Sequence, residues 1–374
     1  MKKFGFGGMR FPLTDKDNPK SIDLAQVEQM VDCFLENGFT YFDTAFPYHN
    51  GLSEEAFRET LVKRHARERF VLADKMPIFM IKKREEYEQT FQTQLERCGV
   101  EYFDYYLLHN LGKRTFAESE ELGGFAFLRE LKKQGRAKHI GFSFHDEAIL
   151  LDEILTKHPE VDFVQLQLNY LDWNSASIQS GKCYETARKH NKPVIVMEPV
   201  KGGMLANLPP KAAALLHEYD PDMTGASLAL RYAASLEGVM MVLSGMSDLE
   251  QMKENVVTMK EIRKPDKEEK ELMQKIVQSV QESIAIPCTG CQYCVEDCPK
   301  QINIPNLFAT YNTFELSGNM MASQLYYDRS IFGRGKASDC IGCKQCENHC
   351  PQHIPITSHL KKIGELFEKN PSGR

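Results

Sequence analysis

Eight short apolar runs, each followed by a stretch with helical spacing, fill roughly the first 260 residues and constrain the fold more than any other feature. The runs are 4–8, 39–43, 70–75, 103–109, 137–143, 161–167, 193–198 and 239–244. After the first run, Asp23-Leu-Ala-Gln26 has the form of a capping box. Leu24, Val27, Met30, Val31 and Phe34 then recur on one helical face until Gly38 stops the helix. Eight uninterrupted strand–helix pairs predict an α/β fold of the closed (β/α)8 TIM-barrel type rather than an open doubly wound sheet. Strands that are apolar on both faces also suit parallel pairing. A dinucleotide-binding open sheet would carry Gly-x-Gly-x-x-Gly after its first strand; here Gly5 and Gly7 are followed by Arg10 where the third glycine would fall.

The other end of the chain is rich in cysteine. Cys288, Cys291, Cys294 and Cys298 are followed by Pro299, and Cys340, Cys343, Cys346 and Cys350 by Pro351. Both runs read C-x2-C-x2-C-x3-C-P, the spacing by which two-cluster bacterial ferredoxins hold [4Fe–4S] centres. That arrangement implies one cluster on Cys288, Cys291, Cys294 and Cys350, and a second on Cys340, Cys343, Cys346 and Cys298. Zinc uses spaced pairs of ligands and would leave the third and fourth cysteine surplus. Disulfides need an oxidising compartment, and the N-terminus lacks the apolar run of a signal peptide. Similar text follows both runs, Cys298-Pro-Lys-Gln-Ile and Cys350-Pro-Gln-His-Ile, which points to an internal duplication within a small, helix-rich, ferredoxin-type domain. The remaining cysteines, Cys33, Cys98 and Cys183, fall in helical patterns and read as small packed residues.

The expected organisation is a barrel over 1–262, a charged joining helix over 263–284 and a cluster domain over 285–374. A net charge of −6 gives no electrostatic case for nucleic acid, and no polybasic segment argues for a membrane surface. No run of about eighteen apolar residues suggests a membrane span. A cytoplasmic location is expected.

In a (β/α)8 barrel the functional side chains gather at the C-terminal ends of the strands. Here those ends carry Asp43, Lys75, His109, Ser143, Gln165 or Gln167, Glu198 and Ser244. Asp43, Tyr48, Lys75 and His109 make a chemically usable set. A phenol titrates near ~10, and a neighbouring ammonium lowers that value by favouring the phenolate. Lys75 would supply the charge, Asp43 would hold the lysine, Tyr48 would give a proton to a carbonyl oxygen and His109 would orient that oxygen.

Asp43-x4-Tyr48, Asp74-Lys75 and Leu107-Leu108-His109 resemble, in order and at matching strand ends, the catalytic tetrad of the aldo–keto reductase family. The resemblance covers roughly residues 1–260. It implies a nicotinamide dinucleotide, NADPH or NADH, laid across the barrel mouth without a Rossmann fold. It places Ser143 and Gln165 at the carboxamide, with Glu198 beside them. It places Ser244, Gly245, Ser247, Gln251, Glu254 and Asn255 in an adenosine-binding loop and helix. Three positions depart from the family pattern: Phe144 follows the serine, Met197 stands where a stacking tyrosine is common, and Gln251 replaces an arginine. Lys201 is a candidate for a phosphate contact, and a solvated lysine is the plainer alternative. Arg10 would meet an anionic substrate or form a surface ion pair. The whole chain resembles the subgroup whose barrel is followed by a 4Fe–4S ferredoxin-type domain.

The leading reading is an NAD(P)H-linked oxidoreductase that acts on a small carbonyl or alcohol and passes electrons through its clusters to or from a redox partner protein. Nicotinamide moves two electrons and each cluster moves one, so a direct circuit calls for a splitter such as a flavin, for which no motif is present. The alternative is an electron-transfer or redox-sensing protein whose barrel binds nucleotide with little turnover.

Overall fold

A computed structural model describes residues 2–15, 18–175, 178–317 and 320–368. The eight expected strands form β1 (Phe4–Gly7), β2 (Tyr41–Asp43), β3 (Val71–Met76), β4 (Phe103–Leu111), β5 (Ala137–Phe144), β6 (Phe163–Gln167), β7 (Val194–Met197) and β8 (Val239–Ser244). They pair in sequence order, all parallel, and β8 returns to β1 to close the barrel. Closure removes the sheet edge, so every strand is paired on both sides.

Side chains alternate along each strand. Tyr41, Ala73, Tyr105, Leu107, Phe163, Ile195, Met241 and Leu243 form a buried apolar plug inside the barrel. Two residues further along, with the same parity, stand Asp43, Lys75, His109, Gln165 and Met197. The period of two therefore carries the strands from plug to polar mouth. The opposite face packs against the surrounding helices in a larger core that includes Phe4, Phe6, Phe42, Leu72, Phe142 and Val196.

Two compact units result: residues Met1–Val200 with Ala226–Asp266, and residues Lys201–Gly225 with Lys267–Arg374. This division differs from the boundaries expected at 262 and 284. The segment from Lys201 to Gly225 groups with the second unit. The helix Lys267–Ser283, expected as a joining element, packs within that unit on the helix Pro210–Tyr219, with Lys211 Nζ 2.9 Å from Glu282 Oε2. Its buried stripe of Leu272, Met273, Ile276 and Val280 needs a partner, which a bare connector would not provide. The C-terminal stretch of the expected cluster domain, 369–374, lies outside the described residues.

The duplication expected in the second unit is visible in the backbone. Gly290 and Gly342, Gln292 and Lys344, and Gln301 and His353 all have positive φ, at a constant separation along the chain. Short helices Tyr293–Glu296 and Gln345–Asn348 repeat at the same separation. So do the starts of the longer helices Ile304–Ser317 and Ile356–Phe367. Ile302, Ile304, Leu307, Phe308, Ile354, Ile356 and Leu360 from the two halves share one apolar core.

Gly141 on β5 faces the barrel interior, where a Cβ would lie 2.5 Å from the Phe163 carbonyl oxygen and 2.9 Å from its ring. Gly141→Ala should therefore cost about 1–3 kcal/mol by overpacking. Denaturant unfolding followed by circular dichroism should show a lowered midpoint.

Candidate functional site

Lys75, near the end of β3, is 1% exposed. Its Nζ donates to Asp43 Oδ1 at 2.6 Å and to the Thr44 carbonyl at 2.6 Å. Parallel register sets Asp43 beside Ala73 and Lys75 beside Leu107, so the three strand ends converge. Burial pushes the Asp43 carboxyl up, against the pull of the Lys75 ammonium. The ammonium lies 4.9 Å from the centroid of the Tyr48 ring. Tyr48 opens a short turn in which His49 and Asn50 are both left-handed. That turn is tied down by His49, whose Nε2 accepts from Phe11 N–H at 3.1 Å while Nδ1 donates to the Pro19 carbonyl at 2.8 Å.

His109 sits where β4 is irregular, between Leu108 and Leu111, followed by left-handed Asn110. Such bulges redirect a side chain. The Asn110 N–H is held by Ser143 Oγ at 2.8 Å. His109 meets the Tyr48 ring edge-on, with centroids 5.9 Å apart. Burial, Lys75 and His145 hold its imidazole well below the usual range. The ring is therefore neutral near pH 7, which suits a hydrogen-bonding group rather than a cation. Half-buried Phe79, 5.8 Å from His109 between centroids, adds an aromatic wall.

Behind Lys75 lies a polar network for which a lone sequence carries little signal. Asp74 and Glu54 are fully buried and hydrogen-bonded to each other, which requires a shared proton. Asp74 Oδ1 accepts from Lys75 N–H at 2.7 Å. Gln94 donates to Glu54 Oε1 at 3.2 Å and to the Lys75 carbonyl at 3.0 Å, and Arg97 reaches Glu54 Oε2 at 3.1 Å. Both peptide groups of Lys75 are thus clamped from the outer face of the strand. Burial pushes both carboxyls up. The like charge of Glu54 adds to this at Asp74, while Arg97 and Gln94 oppose it at Glu54.

The residues expected at a nucleotide divide into two groups. Ser143 and Gln165 are buried and adjacent in register. Gln165 Nε2 lies 3.6 Å from Met197 Sδ, and its Oε1 is buried without a partner. An orphaned buried acceptor at a strand end fits a carboxamide donor. Glu198 takes a left-handed φ of 56°, and Asn169, not singled out from the sequence, holds its carbonyl at 3.1 Å. Phe144 points to the outer core, 2% exposed.

Ser244 and Asn255 are buried and 3.3 Å apart. Gly245 packs on the Arg10 stem, where a Cβ would come within 3.2 Å. Ser247, Gln251 and Glu254 are exposed. The side chain of Gln251 is taken up at the start of the helix Leu249–Lys260. Its Nε2 donates to Asp248 Oδ2 at 2.8 Å and its Oε1 accepts from Ser247 N–H at 2.9 Å. The Asp-x-x-Gln pattern that flagged the first helix would also have flagged this cap. Lys201 belongs to the second unit, buried, with Nζ 2.8 Å from Gln352 Oε1.

None of the eleven cysteines is in a disulfide. Cys288, Cys291, Cys294 and Cys350, three from one run and the last from the other, line an open hollow of about 310 Å3 together with Ile304, Phe308, Gln352 and Ile354. Among the described residues no three Cys, His, Asp or Glu side chains draw together round a single ion; these thiols ring a space instead. Burial, then crowding by Cys291, Cys288, Cys350 and Cys346, pushes the Cys294 thiol far up. Burial, with Cys340 and Cys298 among its neighbours, pushes Cys346 up to about 12. Thiols so crowded ionise together only around cations. The donor set, all sulfur and crossed between the runs, fits iron–sulfur clusters.

The geometry is that of a (β/α)8 oxidoreductase site with a lysine–aspartate pair, a tyrosine and a histidine at the strand ends. The profile of the aldo/keto reductase family matches residues 3–277, and that of the 4Fe–4S dicluster domain matches residues 287–354. The chain belongs to the aldo/keto reductase family and carries a C-terminal ferredoxin-type 4Fe–4S domain. It is 22% identical over 281 residues to the uncharacterized oxidoreductase YqkF of Bacillus subtilis, covering 67% of this chain and 88% of that protein. It is 27% identical over 78 residues to an acetyl-CoA decarbonylase/synthase complex subunit alpha 1 of Methanosarcina acetivorans, a match spanning 21% of this chain but only 8% of that subunit. Among solved structures, the holo form of aldo-keto reductase AKR11C1 from Bacillus halodurans superposes with a TM-score of 0.58 at 24% identity, over 73% of this chain and 91% of that one. An aldo/keto reductase from Klebsiella pneumoniae in complex with NADP and acetate gives a TM-score of 0.58 at 18% identity, over 74% and 91%. These structures share the fold. Among the described residues no helix is long and apolar enough to cross a membrane.

The carboxyl pair behind Lys75 has a measurable signature. Folding raises both carboxyl pKa values above the unfolded range near ~4. The folded state then holds protons that the unfolded state has released, so stability is fullest below that range and declines as pH rises through the folded values. Asp74→Asn keeps an acceptor for Lys75 N–H and removes the like charge. Denaturant titrations between pH 5 and 9 should show a flatter pH dependence than in the unaltered protein.

Proposed function

We propose that the barrel reduces a small carbonyl compound, or oxidises the corresponding alcohol, with NADPH or NADH, and that two [4Fe–4S] clusters exchange single electrons with a redox partner. The observation that carries the barrel chemistry is Lys75, fixed between Asp43 and Thr44 with its charge beside the Tyr48 ring. The nicotinamide supplies the hydride that ends on the carbonyl carbon. Tyr48 gives a proton to the carbonyl oxygen, and Lys75 stabilises the phenolate left behind. Asp43 keeps the ammonium from turning away, and neutral His109 directs the carbonyl oxygen toward Tyr48. Hydride and proton together balance the reduction, so the barrel reaction needs no electron from a cluster.

Ser143 and the orphaned Gln165 acceptor support a carboxamide contact, and the Ser244–Asn255 pair supports contact further along the nucleotide. Gln251, engaged by Asp248, offers less to an adenosine phosphate, which favours the second reading of nucleotide binding with little turnover. The crossed thiol sets support two clusters. Cys343 and Ile341 are exposed, which suits electron exchange with a partner at the second cluster.

Tyr48→Phe should lower the turnover of aldehyde reduction about 100- to 10,000-fold while nucleotide affinity and iron content hold. Equal turnover in both proteins would remove the proton-donor role, and nucleotide binding without turnover in the unaltered protein would favour the second reading. For the clusters, Cys291→Ser and Cys350→Ser should abolish the same electron paramagnetic signal and about half of the iron. Loss of two different signals would mean that each run binds its own cluster.

A further inference from the structure

The segment after β7 is bent by three consecutive residues of positive φ, Lys201 at 46°, Gly202 at 63° and Gly203 at 98°. Glycine adopts this region freely, but lysine does so at a cost, so the surrounding contacts must hold Lys201 there. They are identifiable. Gly202 approaches the backbone of the first cysteine run so closely that a Cβ would stand 2.4 Å from the Thr289 carbonyl oxygen and 2.8 Å from its Cα. Lys201 itself is 3% exposed, and its Nζ donates to Gln352 Oε1. Thr289 and Gln352 both line the hollow ringed by Cys288, Cys291, Cys294 and Cys350. A buried ammonium therefore stands one side-chain amide away from that thiol ring.

A cluster held by four thiolates is anionic, and one-electron reduction makes it more so. A fixed cation in a poorly solvated position favours the more negative state, and burial strengthens the effect by limiting screening. The second thiol set has a lysine close in sequence too, Lys344 beside Cys343, but both are exposed and Lys344 is screened by water.

We propose that Lys201 is a positioning charge for the cluster held by Cys288, Cys291, Cys294 and Cys350, raising its reduction potential, rather than a contact for a nucleotide phosphate. The electron comes from an external one-electron donor of low potential, passes to the cluster core, and leaves the lysine chemically unchanged. The tuned cluster is the one on which that electron rests. This inference depends on the cysteines being cluster ligands and is independent of the carbonyl chemistry at Tyr48.

The test is a redox titration of the full-length anaerobic protein against mediator dyes, followed by electron paramagnetic resonance, with iron content measured on each sample. In Lys201→Met one of the two cluster potentials should fall while the other holds, and Lys201→Arg should restore the value of the unaltered protein. Unchanged potentials in an iron-replete Lys201→Met protein overturn the proposal. Weakened NADPH binding with unchanged potentials would overturn it too and return Lys201 to a phosphate. Should Lys201→Met lose iron, Gln352→Glu decides. A carboxylate placed against the ammonium should lower the same potential, and no shift overturns the proposal. Unaltered protein without iron would remove the cluster reading itself, and the tuning with it, while leaving the Tyr48→Phe assay unaffected.

Discussion

The ion pair between Lys75 and Asp43 is the contact on which the barrel site depends. A charged pair with almost no exposure gains from attraction only if its remaining donors and acceptors are met, and removing one partner of such a pair costs about 3–5 kcal/mol. The barrel meets that demand for Lys75 with the Thr44 carbonyl on the inside, while Asp43 Oδ2 stays buried without a partner, and the Asp74, Gln94 and Glu54 network clamps the Lys75 backbone from the outside. The backbone of β3 cannot shift without breaking contacts on both faces. Tyr48 and His109 inherit their placement from this rigidity, one through its distance to the ammonium and the other through edge-on contact with the Tyr48 ring.

The second unit solves a different problem with the same economy of means. Two copies of one short pattern repeat the same left-handed residues, the same short helices and the same helix starts, and share an apolar core. Because the fourth cysteine of the second copy, Cys350, lines the hollow of the first three of the other, the first copy does not complete that thiol ring alone. Asp297 and His349, equivalent positions just before the fourth cysteines, meet at 2.7 Å and join the copies directly. Ring formation and association of the two halves are thus one event.

Much of this was legible in the chain. Alternation of apolar runs with helical spacing predicted eight strands whose observed ends lie within about two residues of the expected ones, because a strand buried on both faces leaves an unbroken apolar mark. Asp43, Lys75 and His109 were legible because polar groups at the ends of such strands stand out, and parity then sends them inward with the plug residues Tyr41, Ala73 and Leu107. Others were not. Glu54 and Gln94 sit in helices where a glutamate or glutamine ordinarily meets water, and only packing against β3 makes them buried. Asn169 gains its meaning from the strained turn at Glu198, which no local pattern announces.

The sequence by itself determined the two architectures and the identity of the chemical groups, since period, spacing and residue type are local properties that survive without a partner. Tertiary structure decided what each group is near. It engaged Gln251 in a helix cap, assigned the helix Lys267–Ser283 to the second unit, and turned Lys201 toward Gln352. Long flexible side chains can reach several neighbours from one backbone position. The contact each one makes is selected by burial and by competing hydrogen bonds, and these exist only once the chain has closed around it.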